Sequence, residues 1–296
     1  MTRSLVAPVL ALVLLAACKA APAPTPPSTD APQDASPSAS AQAPASTQAD
    51  GPTGALDEAA FKALHEHTTA AAPRARGEML EIAGARAYLS LPEDASPPLP
   101  AVLVIHEWWG LNDHIKHWAD RLAADGYAAL AIDLYGGEVA TTPDEAMALM
   151  KAVDEARARE VLTAAHRLLG EDPRIGATRR GVIGWCFGGG WSLQHAIATP
   201  DLDAAVIYYG RLVTDEAALA RIHAPLLGVF ADQDQGIPPA AVEEFRAAVE
   251  RAGKSIELHR YPANHAFANP SSARYQQDAA ADAWAKVRAF LQRTLK

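Results

Sequence analysis

The stretch Gly181-Val182-Ile183-Gly184-Trp185-Cys186-Phe187-Gly188-Gly189-Gly190 constrains this chain more than any other. A short apolar run leads into Gly-Trp-Cys-Phe-Gly, and a helix-compatible segment, Trp191-Ser192-Leu193-Gln194-His195-Ala196, follows at once. A strand must therefore turn sharply into a helix, with Cys186 on the turn and small residues where backbones pass close. A cysteine displayed in this way is a candidate nucleophile. A buried cysteine in a Gly-rich connection is the plain structural alternative.

The runs Ala101–Ile105, Ala128–Ile132, Ala204–Tyr208 and Pro225–Phe230 are continuously apolar, which predicts strands covered on both faces. Arg180–Trp185 is the strand that carries the cysteine. Glu78–Ile82 and Ala85–Leu91 read as edge strands joined across Gly84, and Ser255–Arg260 as the last strand. Helical patterns run from a cap at Asn112 or Asp113 to Asp125, from Thr141 to roughly Leu169, over Pro239–Ala252, and from Ser272 to the end. Apolar strands alternating with helices predict an α/β fold, a mostly parallel sheet with helices on both faces. A helix over Ala55–Ala72 carries His65-Glu66-His67, but i and i+2 point to different helix faces, so a solvated patch is expected there, not a metal site.

The N-terminus has another character. Arg3 precedes an apolar run, Leu5 to Ala17, too short for a comfortable membrane span. It ends in Leu15-Ala16-Ala17-Cys18, which resembles a bacterial lipobox. That resemblance implies a signal peptide over residues 1–17 and lipid on Cys18, with Lys19 next in line and an outer-membrane or periplasmic envelope location. Residues 18–55 are nearly all Ala, Pro, Ser, Thr, Gln and Asp and predict an extended tether. The folded domain is expected over 56–296. The net charge of -9, with no Lys/Arg cluster, argues against nucleic acid, and the only expected membrane contact is the N-terminal lipid. With Cys18 acylated, Cys186 is the one remaining thiol of two cysteines, which favours a chemical use for it.

Loops at strand ends offer Cys186, then Asp232 or Asp234, then His265, in the order nucleophile, acid, histidine. A histidine beside a thiol takes its proton and later gives one to the leaving group. A carboxylate fixes the imidazole tautomer. Glu107, next to Trp108 and Trp109, is a candidate desolvated carboxylate and a further acceptor for the thiol proton. The backbone N–H groups of Phe187 and Trp108 are candidate oxyanion-hole donors.

The set His106-Glu107-Trp108-Trp109-Gly110-Leu111-Asn112, Asp133-Leu134-Tyr135-Gly136-Gly137, Gly184-Trp185-Cys186-Phe187-Gly188-Gly189, Tyr208-Tyr209-Gly210, Asp234-Gln235-Gly236-Ile237-Pro238 and His265-Ala266-Phe267 resembles the dienelactone hydrolase family. The resemblance spans about Glu78 to the C-terminus. It implies an α/β-hydrolase fold and hydrolysis of a small ester or lactone through an acyl-cysteine, with Cys186 as nucleophile, Asp234 as acid, His265 as base and Glu107 holding the resting cysteine. No cofactor and no metal is expected, and a monomer is favoured. Ala266 and Asn269 stand where the dienelactone-specific enzymes have a serine and a substrate-binding arginine, so the resemblance carries mechanism further than substrate. Arg211 is the remaining candidate cation. A non-catalytic envelope lipoprotein of the same fold is the competing expectation. A thiol redox role lacks a resolving cysteine.

Overall fold

The computed structural model describes residues 75–296. The expected signal peptide, Cys18, the tether and the Ala55–Ala72 helix lie outside the described residues. Eight strands form one sheet: β1 (Glu78–Ile82), β2 (Ala85–Ser90), β3 (Ala101–Ile105), β4 (Ala128–Ile132), β5 (Arg180–Trp185), β6 (Ala204–Tyr208), β7 (Leu226–Ala231) and β8 (Ile256–Tyr261). Their spatial order is β1-β2-β4-β3-β5-β6-β7-β8. The first two strands run antiparallel, and every pair from β4 to β8 is parallel. This is the expected α/β-hydrolase architecture.

Patterning explains the layout. Strands β3, β4, β6 and β7 are buried at every residue, as continuous apolar runs require when helices cover both faces. Edge strand β1 is mostly exposed. Ala83 and Gly84 both take positive φ (50° and 74°), so the β1–β2 connection is a tight two-residue hairpin.

The helices are α1 (Asp113–Ala124), α2 (Pro143–Ala152), α3 (Glu155–Glu171), α4 (Phe187–Ala198), α5 (Glu216–Leu219), α6 (Pro239–Arg251) and α7 (Gln277–Leu295). The Asn112 side chain caps α1, and Thr142 with Glu145 forms a capping box on α2. On one side of the sheet α1 and α7 meet through Trp118 and Trp284, whose centroids are 4.7 Å apart, and Trp118 stacks on Trp185 of β5. The guanidinium of buried Arg121 lies 4.2 Å from the Trp284 centroid and 4.8 Å from that of Trp118.

Two helix expectations need correction. The single helix predicted from Thr141 to Leu169 is two, because Val153 leaves helical geometry and Asp154 caps a new start by accepting from Ala156 and Arg157 N–H. The last helix begins at Gln277, not Ser272. Asn269 Oδ1 accepts from Ser271, and Ser272 Oγ accepts from the Arg274 N–H, so side chains bind residues 269–274 into turns. The short α5 was not foreseen.

The topology also positions the site. From β3 the chain steps to β4 on one side, then crosses back to β5 on the other. Between β3 and β5 the loops leave in opposite directions, and a crevice opens at the strands' C-terminal ends. Glu107 follows β3, and Cys186 follows β5.

Candidate active site

Cys186 sits between β5 and α4 with φ 55° and ψ -115°, a strained conformation for any residue with a Cβ. Its amide donates to the Tyr208 carbonyl at 3.0 Å, and its carbonyl accepts from Gly190 N–H at 3.2 Å. The helix can start here because Gly188 has no side chain. A Cβ at that position would lie 2.2 Å from the Ile105 carbonyl oxygen. The turn thus presses the first turn of α4 onto the end of β3, which brings Cys186 beside the Glu107 loop.

His265 and Asp234 arrive from the loops after β8 and β7. His265 Nδ1 is 2.6 Å from Asp234 Oδ2, while Asp234 Oδ1 accepts from the Gly236 and Ile237 amides at 2.8 and 3.0 Å. Asp232 points elsewhere and pairs with Arg260 at 2.6 Å, so the choice left open between the two aspartates falls to Asp234 on geometry. Burial pushes the Asp234 pKa up, but the His265 contact and the two amides outweigh it and hold it below the usual value. For His265, burial disfavours the charged form, yet hydrogen bonds to Asp234 and Cys186 prevail and raise its pKa to about 10.

Glu107 is 3 % exposed, and burial raises its pKa to about 7 against the opposing pull of His265 and Asn269. Its Oε2 accepts from Asn269 Nδ2 at 2.6 Å, whereas Oε1 is buried without a hydrogen bond. Tyr209 packs its ring against His265, centroids 5.0 Å apart. Phe187 is the first residue of α4, where an amide has no intrahelical acceptor, and Trp108 stands on the turn after Glu107.

Cys186, His265, Glu107, Trp108 and Trp109 line one cavity of about 370 Å³. Its other wall is the turn segment, with Asn269, Ser271, Ser272 and Arg274. The structure therefore brings the expected Cys186, Asp234, His265, Glu107, Trp108 and Phe187 to one crevice. It does not bring Arg211 there. Arg211 lines a neighbouring cavity of about 330 Å³ behind Phe187 and lies 4.0 Å from Glu155. Sequence reasoning missed Arg274, which the expected helix start at Ser272 had placed inside a helix. The Asn269-Pro270-Ser271-Ser272 run is a turn signal that could have found it.

With this geometry in view, comparison with known proteins is specific. Residues 85–295 match the model of the dienelactone hydrolase family. The chain belongs to that family. A Saccharolobus solfataricus protein named "Putative carboxymethylenebutenolidase" is 34% identical over 249 residues, covering 71% of this chain and 95% of its own. The crystal structure of a Klebsiella pneumoniae protein named "Putative Dienelactone Hydrolase" superposes with a TM-score of 0.69 at 30% identity, covering 73% of this chain and 98% of that one. A dienelactone hydrolase-like promiscuous phosphotriesterase from metagenomic libraries gives a TM-score of 0.69 at 25% identity, with 74% and 98% covered. As a dienelactone hydrolase family member this chain is a hydrolase, and the family fold supplies the sheet whose strand ends carry the crevice.

Proposed function

We propose that this hydrolase cleaves a small ester or lactone through an acyl-cysteine formed on Cys186. The observation that carries the reading is His265, held by Asp234 at 2.6 Å and sharing the wall of one open cavity with Cys186. Cys186 gives its thiol proton to His265 as Sγ attacks the substrate carbonyl carbon, and the carbonyl oxygen takes the negative charge as its π bond opens. The Phe187 and Trp108 N–H groups receive that oxyanion. As the carbon–oxygen bond breaks, His265 passes its proton to the departing oxygen. A water then gives a proton to His265 and adds to the acyl carbon. Collapse breaks the carbon–sulfur bond and releases the acid, and His265 returns its proton to the sulfur, which restores the thiol. Asp234 keeps the imidazole turned towards the sulfur. Glu107 is the second proton acceptor, and at a pKa of about 7 it changes charge in the working range.

Arg274 refines the substrate class. It is the arginine on the cavity wall, its side chain is exposed, and it stands on the turn segment with Ser271 and Ser272, across a pocket whose lining also includes Glu107, Cys186, His265, Asn269 and the two tryptophans. A carboxylate on the acyl part of the substrate fits that wall. The test is hydrolysis of matched chromogenic esters with and without an acyl carboxylate. Cys186→Ala and His265→Ala are expected to lose at least about 1,000-fold in kcat on both. Arg274→Gln is expected to lose about tenfold in kcat/KM on the charged ester alone. Undiminished turnover in Cys186→Ala or His265→Ala sinks the acyl-cysteine reading. Equal losses on both esters in Arg274→Gln sink the anionic substrate.

Lipidation of Cys18 and tethering to the bacterial envelope form a separate part of the proposal, supported by the Leu15-Ala16-Ala17-Cys18 sequence. A mature mass that includes acyl chains, lost on globomycin treatment, is the expected result. An unmodified chain with another N-terminus would refute it.

A further inference from the structure

His106 is fully buried at the end of β3, and none of the steps above uses it. Its ring is held at both nitrogens. Nε2 accepts from the Leu134 amide at 3.1 Å, so the proton of the neutral ring is on Nδ1, which donates to the Glu107 carbonyl oxygen at 2.5 Å. Burial lowers the His106 pKa, which keeps that tautomer neutral. The ring is also clamped between aromatics. It stacks on Phe187 with centroids 5.5 Å apart at 16°, and meets Tyr135 edge-on at 4.6 Å.

The Glu107 carbonyl and the Trp108 N–H belong to one peptide unit. That unit is planar and trans, so its oxygen and its N–H point in opposite directions. Anchoring the oxygen therefore aims the N–H. The Gly110 amide adds a second hydrogen bond to the same oxygen at 3.2 Å. Two donors on the carbonyl also polarise the peptide and make its N–H a stronger donor. On its other side the imidazole stacks on the ring of Phe187, the residue that supplies the second backbone donor.

We propose that His106 is a positioning residue for the oxyanion hole. It locks the Glu107–Trp108 peptide and braces Phe187, so that both backbone N–H groups face one point above Cys186. The inference rests on the acyl-transfer reading and names the side chain that prepares it.

Two reactions of the same thiol separate this role from general damage. Hydrolysis of 4-nitrophenyl acetate builds an oxyanion. Alkylation of Cys186 by iodoacetamide, followed by mass spectrometry of the Cys186 peptide, does not. His106→Phe keeps a ring but loses both hydrogen bonds, and is expected to lower kcat by about 30- to 300-fold. KM is expected to stay within about threefold, because the ground-state carbonyl draws less on the hole than the transition state does. The alkylation rate is expected to stay within about twofold of wild type. His106→Gln can donate to Glu107 and accept from Leu134, and is expected to recover most of kcat. In the wild-type protein, a trifluoromethyl ketone adduct on Cys186 is expected to move the His106 Nδ1 proton resonance, whereas the acetamide adduct leaves it in place. This last measurement needs no variant to fold. Full esterase activity in His106→Phe, equal loss of alkylation and hydrolysis, or an unmoved Nδ1 resonance would each overturn the positioning role. Wild-type protein that alkylates but hydrolyses no ester would overturn the acyl-transfer reading itself.

Discussion

Glu107 shows the energetic tension at the residue scale. One carboxyl oxygen is bonded to Asn269, and the other is buried without a partner. Burial lifts its pKa from 4.5 to about 7, so the folded state binds more protons than the unfolded state between those values. Stability contributed by the neutral form is complete below pH 4.5 and is lost as pH rises through 7. Glu107→Gln removes that titration. Urea unfolding at pH 5 and 8 is expected to show the variant gaining up to about 3 kcal/mol on wild type at the higher pH. A pH-independent difference would contradict this account. Asn269 was legible only as an absent arginine. Its contact with Glu107 depends on Ser271 holding the Asn269 side-chain Oδ1, which leaves Nδ2 to face the carboxylate. Such a contact across a turn has no periodic signature.

At the scale of elements, the strand–turn–helix around Cys186 was the most readable part of the chain. Val182 to Trp185 can only be a buried strand, and the glycines are demanded by backbone contact. The positive φ at Cys186 gives a prediction with a definite sign. Glycine tolerates that conformation and alanine does not, so Cys186→Gly is expected to be more stable than Cys186→Ala by about 1 kcal/mol or more. Gly188→Ala is expected to destabilise by at least about 3 kcal/mol, since its methyl would meet a strand carbonyl that cannot retreat. Thermal unfolding of the three variants checks both statements, and an unaltered melting point in Gly188→Ala would show that α4 can slide. Helix boundaries were less readable where side chains bond locally to backbone. Asp154 splits one apolar-periodic segment into α2 and α3, and Ser271 and Ser272 delay α7. In both places hydrogen bonds two or three residues long override a helical pattern.

At the scale of the whole molecule, the sheet order places β3 and β5 side by side, and the residues after them meet whatever the helices do. This is why Cys186, Glu107, Asp234 and His265 could be read as neighbours: each follows a strand of the sheet, and the strands before Glu107 and Asp234 are marked by continuous apolar runs. The same packing leaves an acid-sensitive interior. His106, His117, His166 and His195 all have pKa values lowered by burial, that of His195 to about 3. Below their unfolded value of about 6.5 the unfolded chain binds protons that the native state refuses, so stability falls as pH drops. Each such histidine adds up to about 1.4 kcal/mol per pH unit. Melting temperature is expected to decline from pH 7 to 5, with a shallower slope in His195→Leu. An equal slope would show that His195 is not among the groups that drive the loss.

The reactive groups and the substrate wall have different supports. Cys186, Glu107, Asp234 and His265 follow strands of a rigid sheet, whereas Asn269 to Arg274 form a wall of consecutive turns held by their own side chains. A turn segment accepts changes of length and sequence that a strand does not. Diversification of specificity within such a scaffold therefore has a cheap route, in which the turn residues beyond Asn269 drift while the machinery that breaks the bond is inherited unaltered.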